Sequence, residues 1–158
     1  MTRLLLSNGL SVSSCNLSGD TPLHWAAANG RTAAAGVLVE HGADVNAADD
    51  LKRTPLLAAA RTADSPDLIR LLLHAGADVR RCDDRQENAL YKVAQFGAPH
   101  SAEVARLLLD AGADVLATAT DGQTPLDEAK SAVSCHGNQA LVDVLQEATS
   151  KQRGKVKD

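Results

Sequence analysis

The sequence predicts an all-α fold, a solenoid of stacked helix-turn-helix units joined by short β-hairpin or loop connections. Three observations carry that prediction. Thr21-Pro22-Leu23-His24 returns as Thr54-Pro55-Leu56-Leu57, Asn88-Ala89-Leu90-Tyr91 and Thr124-Pro125-Leu126-Asp127, at steps of 33, 34 and 36 residues. A second marker keeps pace, as Gly42-Ala43-Asp44-Val45, Gly76-Ala77-Asp78-Val79 and Gly112-Ala113-Asp114-Val115. Apolar residues make up 44% of the chain but aromatics only 2%, so the core must be built from Ala, Leu and Val, which suit closely packed short helices. A unit of this length cannot bury its apolar face alone and is stable only in a stack.

The first full unit spans 16–48. Thr21 is placed to cap a helix with its hydroxyl, and Pro22 follows at the first helical position, where a missing N–H costs nothing. Leu23, Ala26 and Ala27 then face the core. Gly30 suits a left-handed stop. A second helix is expected from about Thr32 to His41, with Gly42 as its stop and a polar hairpin leading to the next Thr-Pro. Units 49–82 and 83–118 repeat this logic. Ser65 before Pro66 caps the helix of Ile69, Leu71, Leu72 and Leu73, and Ser101 caps that of Val104, Leu107, Leu108 and Leu109. A capping unit spans 119–149, where Asn138 caps a helix of Leu141, Val144 and Leu145. Its Asp127, Glu128 and Lys130 put charge where the middle units are apolar or aromatic. All of 1–149 reads as one domain, and the connection between the two helices of a unit lengthens along it through loop additions.

The two ends depart from the pattern. Arg3-Leu4-Leu5-Leu6-Ser7-Asn8-Gly9 aligns with Arg70-Leu71-Leu72-Leu73-His74-Ala75-Gly76, so 1–15 reads as a partial unit, a truncated start or a fragment of a longer array. Residues 150–158 are polar and basic, with Lys151, Arg153, Lys155 and Lys157, and are expected to be a disordered tail.

The net charge of −4 gives no general attraction to nucleic acid or anionic membrane, and no run of about eighteen apolar residues offers a membrane span. Three cysteines, odd and sparse, argue for a reducing compartment, the cytoplasm or also the nucleus. Cys15 and Cys82 hold the same position two units apart, about 20 Å at ~10 Å per stacked layer, beyond disulfide reach.

The period and its wording resemble the ankyrin repeat over nearly the whole chain, Thr2 to about Ala148. The resemblance implies a concave surface of first helices and hairpins that binds a protein or peptide partner. By position, the first full unit offers Leu17, Asp20, Trp25 and Asn29, and the second Leu51, Arg53 and Arg61. The third offers Asp84, Arg85, Glu87, Lys92, Gln95 and Phe96. Trp25 reads equally as half-buried packing or as an anchor. Tyr91 stands at the family's structural histidine position, which His24 alone retains. Phe96 stands where the family is usually polar, and is the aromatic best placed to meet a partner. The mixed charges of Arg53, Arg61, Arg85 and Lys92 with Asp50, Asp84 and Glu87 read as a solvated face or as a recognition surface. Lys52 and Gln86 replace a family glycine, so looser hairpins are expected there. Asn88-Ala89 replaces Thr-Pro, so a less firmly started helix is expected. Asn46 resembles the asparagine hydroxylated in some animal ankyrin proteins.

No catalytic constellation is visible, and no phosphate loop or His-Glu-x-x-His. Cys135-His136, placed in the longest inter-helix loop, lacks the further ligands a zinc site needs. The expectation is a monomeric, non-enzymatic interaction module or adaptor with no cofactor or metal, no nucleic acid and no membrane. The alternative is a spacer or scaffold fragment of a longer ankyrin-repeat protein, such as a regulatory or ubiquitin-ligase adaptor.

Overall fold

A computed structural model describes residues 11–136 and 138–155. The partial unit expected at the N-terminus therefore lies largely outside the described residues, as does the end of the tail at 156–158. The described residues form eight helices and no strand. In chain order they are α1 (Pro22–Ala28), α2 (Thr32–Glu40), α3 (Pro55–Thr62), α4 (Pro66–His74), α5 (Ala89–Phe96), α6 (Ser101–Asp110), α7 (Pro125–His136) and α8 (Gln139–Lys155). They pack as two layers. The odd-numbered helices stack on one another, the even-numbered ones stack behind them, and the two helices of each unit pack together. Leu23, Leu56, Leu90, Leu72, Leu108 and Leu145 are fully enclosed between the layers. Alanines at 26, 27, 59, 60 and 94 let the first helices approach closely.

Each first helix starts on a side-chain cap. Thr21, Thr54 and Thr124 accept from the backbone N–H three residues on, at 3.4, 3.3 and 3.2 Å. Asn88 does the same to Tyr91 at 2.9 Å, while its Nδ2 donates to the Asp114 carbonyl at 2.8 Å. The expectation of a weakly started helix there is not met, because the amide caps and braces at once. Ser65 and Asn138 cap as expected, at 3.3 Å each. Ser101 does not. His100 precedes α6 without a side-chain cap, and Ser101 Oγ lies inside the helix, donating to the Ala98 carbonyl at 2.6 Å. Fully buried, that hydroxyl takes the nearest carbonyl instead of an orphan amide.

The four hairpins share one backbone. The first residue's N–H bonds the fifth's carbonyl: Asn16 to Asp20 at 3.0 Å, Asp49 to Arg53 at 3.0 Å, Asp83 to Glu87 at 3.2 Å and Ala119 to Gln123 at 3.0 Å. The fourth residue is left-handed in every case, at φ +78° for Gly19, +60° for Lys52, +60° for Gln86 and +80° for Gly122. The two non-glycine hairpins keep the same bonds as the others and are strained instead of looser. A side chain in this region costs about 1–2 kcal/mol. Neighbouring tips then join amide to carbonyl, Asp50 to Ser18 at 3.1 Å, Asp84 to Leu51 at 3.0 Å and Thr120 to Arg85 at 2.9 Å.

Two further expectations are corrected at the C-terminal end. α7 runs on to His136, so the residues added to the fourth unit extend a helix, and Cys135-His136 ends that helix instead of sitting in a loop. α8 continues through 150–155, where a disordered tail was expected. Buried Thr149 donates to the Leu145 carbonyl at 2.7 Å, Lys151 pairs with Glu147 at 2.6 Å, and Gln152 reaches Asp114 at 2.8 Å. Once docked by Leu141 and Leu145, the helix is extended by these local bonds despite its polar composition.

Relieving the left-handed strain should outweigh the extra freedom of glycine in the unfolded chain. Gln86→Gly is expected to raise stability by about 0.5–1 kcal/mol in urea unfolding, and Gln86→Ala to give no gain. The α7 cap should be sensitive to acid. Hydrogen bonds from the Thr124 hydroxyl and backbone N–H hold the Asp127 carboxyl below its ordinary value of 3.8. Its folded value is depressed, so the contribution is full above the unfolded value and fades as pH falls through the folded one. Asp127→Asn should therefore be less stable than the parent at neutral pH, with the gap closing in melts taken below the ordinary carboxylate range.

Candidate protein-binding surface

The face built by α1, α3, α5 and the hairpins carries a groove of about 910 Å³. Of the residues expected to bind, Asp20, Trp25, Asn29, Leu51, Arg53, Arg61, Asp84, Arg85, Glu87, Lys92, Gln95 and Phe96 line it. Leu17 does not line it and stands wholly exposed on the first tip. Trp25 is 67% exposed, which departs from half-buried packing. Asn29 supports it from behind, with Nδ2 donating to the Trp25 carbonyl at 2.8 Å. Phe96 is 43% exposed, and Arg61 lies over its ring with the guanidinium carbon 5.2 Å from the ring centre.

Two candidates prove to be floor instead of contact surface. Lys92 is 9% exposed, its ammonium held by Asp83 at 2.6 Å and by Glu87. Glu87 is buried with it. Both therefore leave the mixed-charge stripe. Arg53 is partly withdrawn too, donating to Asp49 at 2.6 Å and lying 4.0 Å from Asp20.

Sequence reasoning passed over the residues that organise this floor. Asp49 Oδ1 accepts the N–H of Leu51 and Arg53 at 2.9 and 2.8 Å, leaving Oδ2 for the Arg53 side chain. Asp83 Oδ1 accepts from Arg85 and Glu87 at 2.9 and 3.0 Å, leaving Oδ2 for Lys92. Asn16 takes the same two amides at 2.9 Å each in the first hairpin. The signal was present, since Asn16, Asp49 and Asp83 share one register at steps of 33 and 34, and short acids and amides bond the backbone two residues on.

Contacts between units differ along the groove. His24 Nδ1 accepts from the Thr21 N–H at 3.1 Å, so Nε2 carries the proton and donates to the Arg53 carbonyl at 3.0 Å. Asn46 adds a second brace behind, Nδ2 donating to the Gly76 carbonyl at 2.9 Å and Oδ1 accepting from Asp78 at 2.8 Å. At the histidine position Tyr91 is buried, and its hydroxyl donates to Asp121 at 3.0 Å with Glu128 at 3.3 Å. Burial first, then these carboxylates, hold its ionisation well above the ordinary range. Leu57 makes no such bond. Between the second and third units the links are the tip bond, the Arg70–Glu103 pair at 3.0 Å on the outer face, and the Arg61–Phe96 stack.

Behind the groove, Cys15 and Cys82 are free thiols. Burial, and then Asp83, Asp114 and Asp78, push the Cys82 thiol up and disfavour its reactive form. Among the described residues no group of His, Cys, Asp and Glu is arranged to hold a metal ion, and no helix is long and apolar enough to cross a membrane.

The sequence matches the family described as ankyrin repeats in three copies, over residues 1–83 and 56–155. It is 35% identical over 132 residues to the human protein Ankyrin repeat and SOCS box protein 6, covering 82% of this chain and 31% of that one. It is 36% identical over 89 residues to putative ankyrin repeat protein FPV031 of Fowlpox virus (strain NVSL), covering 56% of this chain and 26% of the relative. A third relative, the probable E3 ubiquitin-protein ligase XBOS31 of Oryza sativa subsp. japonica, is 37% identical over 78 residues, 49% of this chain and 17% of its own. The chain thus spans a third or less of the length of these relatives.

The buried carboxylate of Asp83 should be the most sensitive residue of the floor. Asp83→Ala leaves two amides without their partner and the Lys92 ammonium with Glu87 alone, and is expected to cost about 3 kcal/mol. Asp84→Ala, one residue away and exposed, should change stability by no more than about 0.5 kcal/mol. Paired chemical melts check both.

Proposed function

The chain belongs to the ankyrin-repeat family, and we propose that it is a non-catalytic module that binds a segment of another protein in the groove of its first helices and hairpins. One observation carries this reading. Trp25 and Phe96 stand exposed in one groove of a chain that otherwise has a single further aromatic, buried Tyr91. Exposed aromatics cost solubility and serve no packing, whereas aromatics and Arg dominate the energy of protein interfaces. The floor beneath them is held rigid by the Asp49 and Asp83 networks, so little ordering is needed on binding. Two free thiols suit a reducing compartment, the cytoplasm or nucleus.

A second reading has its own support. The chain covers only 31% of Ankyrin repeat and SOCS box protein 6, which supports reading such an array as a spacer or scaffold within a longer protein. The two readings part in a quantitative pull-down with the whole chain. Trp25→Ala and Phe96→Ala are each expected to weaken capture at least tenfold, the effect of losing about 1.4 kcal/mol. Arg106→Glu on the outer layer should leave capture unchanged. Loss of partners with the Arg106 variant alone would place binding on the opposite face. Indifference to all three would favour the spacer.

A further inference from the structure

Four cations line the groove, Arg53, Arg61, Arg85 and Lys92. Two are held within the chain: Arg53 by Asp49, and Lys92 between Asp83 and Glu87. Those floor carboxylates are in turn engaged by backbone amides and their cations. Arg61 differs. Its side chain is exposed, it rests on the Phe96 ring, and among the described residues no carboxylate lies within ion-pair distance of it.

A guanidinium held against a ring by cation–π attraction has lost part of its freedom already, while its N–H groups stay open. Those groups match the two oxygens of a carboxylate, and freedom already lost reduces the entropy lost on pairing. Trp25 is the open ring of the neighbouring unit, and the helices carrying the two residues pack side by side. Stacked helices lie ~10 Å apart, and an extended chain advances ~3.3 Å per residue. The Arg61 guanidinium reaches toward Phe96 in the unit beyond, so a strand crossing both features meets them about three to six residues apart.

We propose that the groove takes an extended protein segment in which an aspartate or glutamate carboxylate seats on Arg61 beside Phe96, and a large apolar side chain about three to six residues away lies on Trp25. The proposal rests on the groove being the binding surface and names the chemistry it selects.

The test selects binders to the whole chain from a displayed library of random peptides. The strongest is then synthesised with a fluorescent label and titrated by polarisation. The selected peptides are expected to share an acid about three to six residues from a large apolar residue. Arg61→Ala should weaken the labelled peptide about ten- to a hundredfold. Arg61→Glu should abolish its binding, and exchanging the peptide's acid for lysine should restore it. Thermal melts confirm that these exposed substitutions leave the fold intact. Peptides that lose binding with Trp25→Ala but show no acid, or that ignore Arg61→Ala, would overturn the carboxylate seat and leave the groove reading standing. Peptides indifferent to both Trp25→Ala and Phe96→Ala, or a selection that enriches nothing, would overturn the groove reading itself.

Discussion

Each hairpin must reverse through one left-handed residue, and the layered order of the molecule depends on that turn. It brings the first residue's amide to the fifth residue's carbonyl, and it leaves each tip with an amide and a carbonyl for its neighbours. The tip-to-tip bonds set the spacing of the units at one edge, while the leucines between the helix layers set it at the other. Helices of seven to ten residues cannot hold their shape in isolation, so spacing and helix formation are one event here. That two of the turns use Lys52 and Gln86 shows the stacking is strong enough to impose the strained conformation.

From this frame the groove follows. The turn places Asn16, Asp49 and Asp83 at the base of their hairpins, where each satisfies two amides. In the second and third units the remaining oxygen draws in Arg53 and Lys92, which would otherwise compete for a partner. The floor is thereby electrostatically settled, and the aromatic and cationic groups above it remain open. What this face leaves open is what the floor does not engage.

Much of this was legible in the sequence. The period, the Thr-Pro starts and the glycine stops specify where helices begin and end, because those signals act within a few residues. Which residues share the groove face was also legible, since position in the repeat decides which face a residue occupies. What escaped was the partner of each polar side chain. Lys92 occupies a surface position by register, yet its long stem lets the ammonium turn into the floor. Ser101 reads as a cap by type, yet a buried carbonyl lay nearer than an orphan amide. The helical reach to Lys155 depends on contacts with Asp114, made possible only once the helix has docked. Direction and reach in three dimensions decide these cases, and a periodic pattern encodes neither.

The unequal seams have a mechanical meaning. Pulled from its ends, a stack of this kind lengthens by parting neighbouring layers. The first seam resists with the His24 bond and both halves of the Asn46 amide, and the last with Tyr91 and its carboxylates. The middle seam has Leu57, a core residue, where those bonds would form, and its polar links are the tip bond, a surface ion pair and a cation beside a ring, while its helices pack as closely as those of the first seam. Part of what holds that seam is the contact of Arg61 with Phe96, so residues that line the groove also help to join its layers.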